Sequence, residues 1–205
     1  VLEQADVVVA PTINYSFYPA FVEYPGSTTL SLETARDLVV EVCESLARYG
    51  PKRFYALNTG VSTVRALAPA VEKLAAEGIL LRFTDLKCLE PIEREVCRQD
   101  AGTHADETET SMLLYIDPAS VDMEKAVKDC NEKKKGPLTR NPSGEGIYSP
   151  TGIWGDPTLA TREKGERVCE AFVKILLAEI EATREAPLPG GDSTAKEREV
   201  RPTSR

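Results

Sequence analysis

The sequence predicts an α/β fold in which helices are layered on both faces of a mainly parallel sheet, an α/β/α arrangement. Two observations favour this class. Short apolar runs alternate along the chain with amphipathic stretches of helical period, which is the pattern of successive β-α-β units. The length of 205 residues also suits one α/β domain, since domains commonly have about 100–200 residues. We therefore expect a single domain over residues 1–186.

The first two predicted elements are a strand and a long helix. The strand is Val7–Ala10, a β-branched run that stops at a proline, as a short buried strand does. The helix is Ser31–Tyr49, where apolar residues recur at helical spacing until Gly50-Pro51 ends the segment.

A β-α-β unit follows. Phe54–Leu57 and Ile79–Phe83 are apolar runs of strand length. Between them, Ser62 or Thr63 can cap a helix that continues to Gly78, and Pro69 should kink its first half. Strands that alternate with amphipathic helices in this way indicate a parallel sheet with both faces covered.

The second half of the chain predicts two further helices. One begins near Thr103 or His104 and leads into an apolar stretch, and the other covers Thr158–Thr183 with a broad apolar face. Residues 117–157, rich in Pro, Gly, Lys and Asn, are expected to cross the surface, and residues 187–205 to form a disordered tail.

Composition excludes several functions. The 25 basic and 33 acidic side chains give a net charge of −8, whereas a phosphate-backbone binder needs clustered Lys and Arg. No apolar run approaches the ~20 residues that span a bilayer. We therefore expect a soluble protein that binds neither nucleic acid nor membrane. A cytoplasmic location is favoured, although a targeting signal in a missing N-terminus stays open. The five cysteines are widely spaced without a Cys-x-x-Cys pair, which favours reduced thiols over a disulfide framework.

The single histidine, His104, is followed closely by acidic residues. At i and i+3 of a helical start, His104 and Glu107 would face one cleft, where an imidazole and a carboxylate can bind a divalent ion or transfer a proton. Glu109 lies about 200° around the helix from Glu107. A purely structural interpretation is equally open, because acids are favoured at helix N-termini by the helix dipole.

Two other segments are candidates for binding a substrate. The turn from Asn58 to Thr63, with Thr59 and Ser62, joins a strand to a helix, where backbone N–H groups can receive an anion or a carbonyl oxygen. It has one glycine and no lysine, so it is not a Walker loop, although a nucleotide-binding role stays open. The aromatic and polar stretches around Tyr15 and at 24–28 could form a pocket wall.

Together these segments resemble the creatininase family, also called creatinine amidohydrolase-like proteins. The matching motifs are Val-Ala-Pro-Thr-Ile-Asn-Tyr at Val9–Tyr15, Tyr-Pro-Gly-Ser-Thr-Thr-Leu at Tyr24–Leu30, His-Ala-Asp-Glu-Thr-Glu-Thr-Ser at His104–Ser111, and Gly-Ile-Trp-Gly-Asp-Pro-Thr-Leu-Ala-Thr at Gly152–Thr161. The third and fourth motifs are the specific ones. The resemblance covers residues 7–183.

The resemblance implies a layered α/β fold, two divalent ions and hydrolysis of a small cyclic or linear amide by metal-activated water. The ions are usually zinc with a second zinc or manganese, and relatives tend to form homo-oligomers. By position, His104 matches the family's catalytic histidine, and Glu107 and Glu109 match its two acids, of which at least one lies at the metal centre. We expect Glu109 to be catalytic and Glu107 to bind metal, and the reverse assignment of the metal ligand stays open. Asp106 stands where the family has glycine and is expected to be a further ligand. Tyr15, Asn58, Thr59 and Ser62 are expected to bind substrate.

Two departures from the family pattern leave an alternative open. The family's Asn-Gly-His-Gly-Gly-Asn turn reads Asn-Thr-Gly-Val-Ser-Thr at Asn58–Thr63, without its histidine. A Glu-x-His-Gly-x-His motif and an aspartate lie upstream of the matched region in the family, and this chain begins at Val1. We therefore expect an N-terminally incomplete domain, inactive by itself, from an amide hydrolase. The alternative is a non-catalytic small-molecule-binding protein on the same scaffold.

Overall fold

The computed structural model describes residues 4–130 and 136–190. Residues 191–205, most of the predicted disordered tail, lie outside this described part. The helices and strands of the described part are α1 (Leu32–Ala47), β1 (Arg53–Ala56), α2 (Val64–Ala76), β2 (Leu80–Phe83), α3 (Glu90–Val96), α4 (Glu107–Ile116), β3 (Leu138–Thr139), β4 (Ile147–Tyr148) and α5 (Arg162–Glu185).

The centre of the fold is the parallel pair β1 and β2, with Arg53 opposite Leu80 and Ala56 opposite Phe83. Successive side chains of a strand point to opposite faces. Accordingly Phe54 and Ala56 pack into one apolar cluster, and Tyr55 packs into another. The predicted β-α-β order and parallel pairing are confirmed.

Helices cover both faces of this pair. The cluster on one side is built by α1 and α2 together with β2, through residues that include Val40, Leu74 and Leu81. The cluster on the other side is built mainly by α3 and α5, through residues that include Val96 and Phe172. The three layers give the predicted α/β/α class.

Local sequence determines where the helices begin. The Ser31 side chain accepts a hydrogen bond from the Thr34 N–H and caps α1, and the Thr161 side chain caps α5 in the same way. Helix α5 therefore starts later than the predicted Thr158, because Pro157–Leu159 forms a separate 3₁₀ turn. Helix α2 continues from Val64 to Ala76 with Pro69 inside it.

The predicted strand Val7–Ala10 is wrong in this structure. These residues form no strand and pair with none in the described part, and Val8 is 99% exposed. A β-branched run becomes a strand only where a neighbour satisfies its backbone groups, and sequence pattern cannot supply that neighbour. The described parts of the surface segment, residues 117–130 and 136–157, are largely irregular, with the short parallel pair of β3 and β4 inside the second part.

Two smaller points concern the whole described part. None of its helices is both long and apolar enough to cross a membrane. It contains no disulfide bond.

Candidate functional site

His104 lies in a sharp turn just before α4. Its backbone forms an antiparallel bridge with Trp154, whose N–H donates to the His104 carbonyl at 2.9 Å. Ala105 then adopts a left-handed φ of +47°, a conformation that non-glycine residues seldom take. The helix begins only at Glu107. His104 therefore precedes the helix, and the predicted i, i+3 pairing with Glu107 on one helical face is not formed.

A pocket of about 320 Å³ opens in front of the His104 ring. The ring stacks on Phe21, with centroids 3.9 Å apart and planes inclined by 26°. The pocket is bounded by the loop before α1 on one side and the loop after β4 on the other. Its lining residues are Phe21, Tyr24, Ser27, His104, Ala105, Thr151, Gly152 and Ile153.

Hydrogen bonds hold the two loops against each other. The Tyr24 hydroxyl donates to the Ser149 carbonyl at 2.7 Å. Glu23 accepts from the Thr139 hydroxyl at 2.9 Å and from the Arg140 N–H at 2.8 Å. These contacts join residues more than 100 positions apart in the chain, so the pocket walls are fixed by tertiary structure.

The electrostatics of the pocket favour a neutral imidazole. Burial lowers the pKa of His104 from its usual 6.5, and the nearby Asp106 carboxylate partly opposes this. The His104 Nδ1 lies 3.8 Å from the Glu109 Oε2. Desolvation also raises the pKa of Glu109, and 49% of that side chain is exposed. Glu109 accepts a hydrogen bond from the Ala105 N–H at 2.6 Å.

The three acids at the start of α4 have different surroundings. Asp106 caps the helix by accepting from the Glu109 N–H at 3.0 Å. Glu107 is fully buried, accepts from the backbone N–H groups of Arg98 and Gln99 at 2.7 Å each, and forms an ion pair with Lys164. Of the three, Glu109 is the acid whose carboxylate lies within 4.0 Å of a His104 ring nitrogen.

The structure does not bring the predicted substrate-binding residues to the pocket lining. Tyr15 lies on the segment before α1, and its side chain is exposed. The buried Asn58 side chain donates to the carbonyls of Gly60 and Thr84, which stabilises the turn itself. In the same turn Thr59 is exposed and Ser62 is half-buried. Their roles stay predictions.

Sequence reasoning missed four residues of this region: Phe21, Gln99, Trp154 and Lys164 were not selected for the site. Gln99 donates to Asp106 and accepts from Asp156, which is 57 positions away in the chain. No local pattern identifies such partners. The aromatic stretch at residues 24–28 was expected to form a wall, and Tyr24 and Ser27 do line the pocket.

Comparison with known proteins finds relatives that align with most of this chain. The chain is 33% identical over 169 residues to a mycofactocin precursor peptide peptidase of Mycolicibacterium smegmatis. That alignment covers 82% of this chain and 64% of the relative. The chain thus spans less than two thirds of that relative's length.

Solved creatininase structures share the fold. A crystal structure of creatinine amidohydrolase matches with a TM-score of 0.66 and 21% identity, over 86% of this chain and 75% of that one. A creatininase structure with Mn matches with a TM-score of 0.64 and 21% identity, over 78% of this chain and 67% of that one. A mutant creatininase of Zn-Zn type also matches, with a TM-score of 0.59.

The fold family therefore implies a divalent ion, and the residues of this chain can be tested against it. Within residues 4–130 and 136–190, no group of three or more His, Cys, Asp or Glu side chains is placed to hold a metal. The Glu107 carboxylate is engaged by Lys164 and two amides, and Asp106 by Gln99 and Glu109. The described residues do not fit a metal centre by themselves.

A family model described as creatininase, creatinine amidohydrolase, matches residues 1–180. This match includes the His104 turn, the pocket walls and most of α5. The chain belongs to the creatininase family.

Proposed function

We propose that the His104 pocket is the hydrolytic site of an amidohydrolase that cleaves a C–N amide bond in a small peptide. The observation that carries the proposal is the His104 imidazole, held against the pocket and 3.8 Å from a carboxylate oxygen of Glu109. The peptide substrate class is supported by the relative named mycofactocin precursor peptide peptidase.

Amide hydrolysis needs a group that takes a proton from the attacking water and returns it to the leaving nitrogen. The pKa of His104 is lowered by burial, so its imidazole is neutral near pH 7 and able to accept that proton. Because Nδ1 faces Glu109, we assign Nε2 to the reacting proton. The Glu109 carboxylate stabilises the imidazolium that forms, which is the role of the third group in catalytic triads.

The pocket walls orient the substrate beside His104. Phe21 and Tyr24 offer aromatic surface, and Ser27 and Thr151 are polar residues of the same lining. The described residues gather no ligand set for the zinc or manganese that the resemblance implies.

A second function is favoured by a specific observation. The Asp106 and Glu107 carboxylates are both satisfied by protein partners, as expected of a scaffold that binds a small peptide without hydrolysing it. In that case His104 contributes a stacking and hydrogen-bonding surface only.

One experiment separates the two functions. The chain and the product of its whole gene, from the first start codon, are incubated with a panel of short peptides, and cleavage is followed by mass spectrometry. A rate of hydrolysis that is about 10²- to 10⁴-fold lower in the His104→Asn variant than in the wild type supports the proposal. Binding without cleavage, detected by calorimetry, supports the second function. Cleavage that is unchanged in a folded His104→Asn variant overturns the proposed role of His104.

A further inference from the structure

We propose that Gln99 is the positioning residue that fixes His104 in the pocket. The inference rests on the proposed hydrolytic function of that pocket. Gln99 does not line the pocket, and it is half-buried in the loop between α3 and the His104 turn. It acts through the backbone segments on either side of His104.

The Gln99 side chain uses both ends of its amide. Its Nε2 donates to Asp106 Oδ2 at 2.7 Å, and its Oε1 accepts from the N–H groups of Glu107 at 3.2 Å and Asp156 at 3.1 Å. Its backbone N–H also donates to Glu107 Oε2 at 2.7 Å. One residue thus joins the start of α4 to the segment that follows Trp154.

Both joined segments hold His104. On one side, Asp106 accepts from the Glu109 N–H, and the Glu109 carboxylate accepts from the Ala105 N–H beside His104. On the other side, Trp154 pairs with the His104 backbone. The position of the imidazole between Phe21 and Glu109 therefore depends on how these two segments are held together.

Two glycines allow the backbone to close around the Gln99 amide. A Cβ added at Gly102 would lie 2.8 Å from Gln99 Oε1 and 2.8 Å from the Gly155 Cα. A Cβ added at Gly155 would lie 2.3 Å from the Asp106 Cβ and 2.9 Å from Gln99 Oε1. Such packing leaves no space for a side chain at either position, and it encloses the Gln99 amide on two sides.

A glutamine side chain can make these hydrogen bonds because its amide group both donates and accepts. The Gln99→Glu change keeps the acceptor for the two N–H groups and replaces the donor to Asp106 by a second carboxylate. The Gln99→Met change keeps the side-chain length and removes both functions. Asp100→Asn is the matched control, since Asp100 is the next residue, is 73% exposed at its side chain, and contacts Lys128 instead.

The first readout is the NMR spectrum of the His104 ring. The chain has one histidine, so the ring resonances report on His104 alone. At fixed pH we expect Gln99→Glu and Gln99→Met to shift or split these resonances, and Asp100→Asn to leave them unchanged. If both Gln99 variants are folded and keep the wild-type ring spectrum, the positioning role is wrong. Gln99→Glu keeps the test valid should Gln99→Met fail to fold.

The second readout is kinetic. It uses the protein that cleaves a peptide, either the chain itself or the product of its whole gene. We expect kcat to fall by about 10- to 100-fold, because a displaced catalytic group loses its alignment with the reacting bond. KM should stay within about 2-fold, since the Tyr24 wall is tied to Ser149, and the neighbouring Glu23 to Thr139, by hydrogen bonds that do not involve Gln99. A rise in KM with unchanged kcat overturns the inference. If no product cleaves a peptide, the hydrolytic function fails while the ring spectrum still decides the positioning role.

Discussion

The most direct test of the fold around the site is the substitution Lys164→Met. Lys164 lies in the first turn of α5, and its ammonium group pairs with Glu107, which is 0% exposed. It also donates to the Leu159 carbonyl at 2.8 Å. Methionine keeps the length and helix propensity of lysine but leaves the Glu107 carboxylate buried without its cation.

The expected cost follows from what remains around Glu107. Breaking a buried ion pair by removing one partner typically costs about 3–5 kcal/mol. Glu107 keeps two backbone N–H donors at 2.7 Å, which still stabilise the carboxylate, so the lower end of the range applies. We therefore expect a loss of about 3 kcal/mol in the free energy of unfolding. For a chain of this size that corresponds to a fall in Tm of about 6–12 °C.

Urea denaturation followed by the fluorescence of Trp154, the single tryptophan of the sequence, measures this loss. The control is Lys73→Met. Lys73 also pairs with an acid at 2.8 Å, but the Lys73 and Asp37 side chains are 49% and 40% exposed, so we expect less than about 1 kcal/mol. If Lys164→Met costs no more than Lys73→Met, Glu107 does not depend on a buried ion pair and the reasoning is refuted.

Three further predictions concern packing, pH and metal. Gly165→Ala should lower the unfolding free energy by more than about 2 kcal/mol in urea denaturation, because the new Cβ would lie 1.8 Å from the Ser111 carbonyl oxygen of α4; a gain of about 1 kcal/mol, usual for this change in a helix, would contradict it. Because a base must be unprotonated and burial lowers the pKa of His104 below 6.5, kcat/KM should be constant near pH 7 and fall as pH drops through a midpoint below 6.5; a midpoint above that value would contradict this. The chain should retain well below one zinc or manganese ion per molecule after dialysis, measured by mass spectrometry of metals, since its described residues gather no ligand cluster; stoichiometric metal would show otherwise.

The layered fold could be predicted because its signals are local. Apolar residues at helical spacing gave α1 and α2, and Ser31 caps α1 through its own third neighbour. Apolar runs of strand length gave β1 and β2. Val7–Ala10 carried the same kind of run, but its strand depends on pairing, and the described residues supply no partner strand.

The site was less predictable because it is assembled from distant segments. The sequence predicts a helix that begins near Thr103 or His104, yet the bridge to Trp154, 50 positions later, accompanies a left-handed Ala105 and a helix that starts only at Glu107. Lys164 has the sequence context of a solvent-exposed lysine in a charged first turn. Only the approach of α5 to α4 shows that it pairs with the buried Glu107.

The two glutamates of α4 cannot share one function. Residues two apart on a helix point about 200° away from each other, so Glu107 faces α5 while Glu109 is half-exposed beside His104. We therefore expect Glu109→Gln to lower kcat and leave the unfolding free energy within about 0.5 kcal/mol, as for other exposed positions.

Glu107→Gln should lower the free energy of unfolding, because it weakens the contact with Lys164. This loss of stability is expected whether or not the rate of cleavage changes. The control for the change of charge is Glu95→Gln, because Glu95 is an exposed acid paired with Arg167 and lies outside the pocket lining. A Glu109→Gln variant that unfolds more easily but cleaves at the wild-type rate would mean that Glu109 supports the turn rather than the imidazole. The partner of His104 in catalysis would then have to come from another residue.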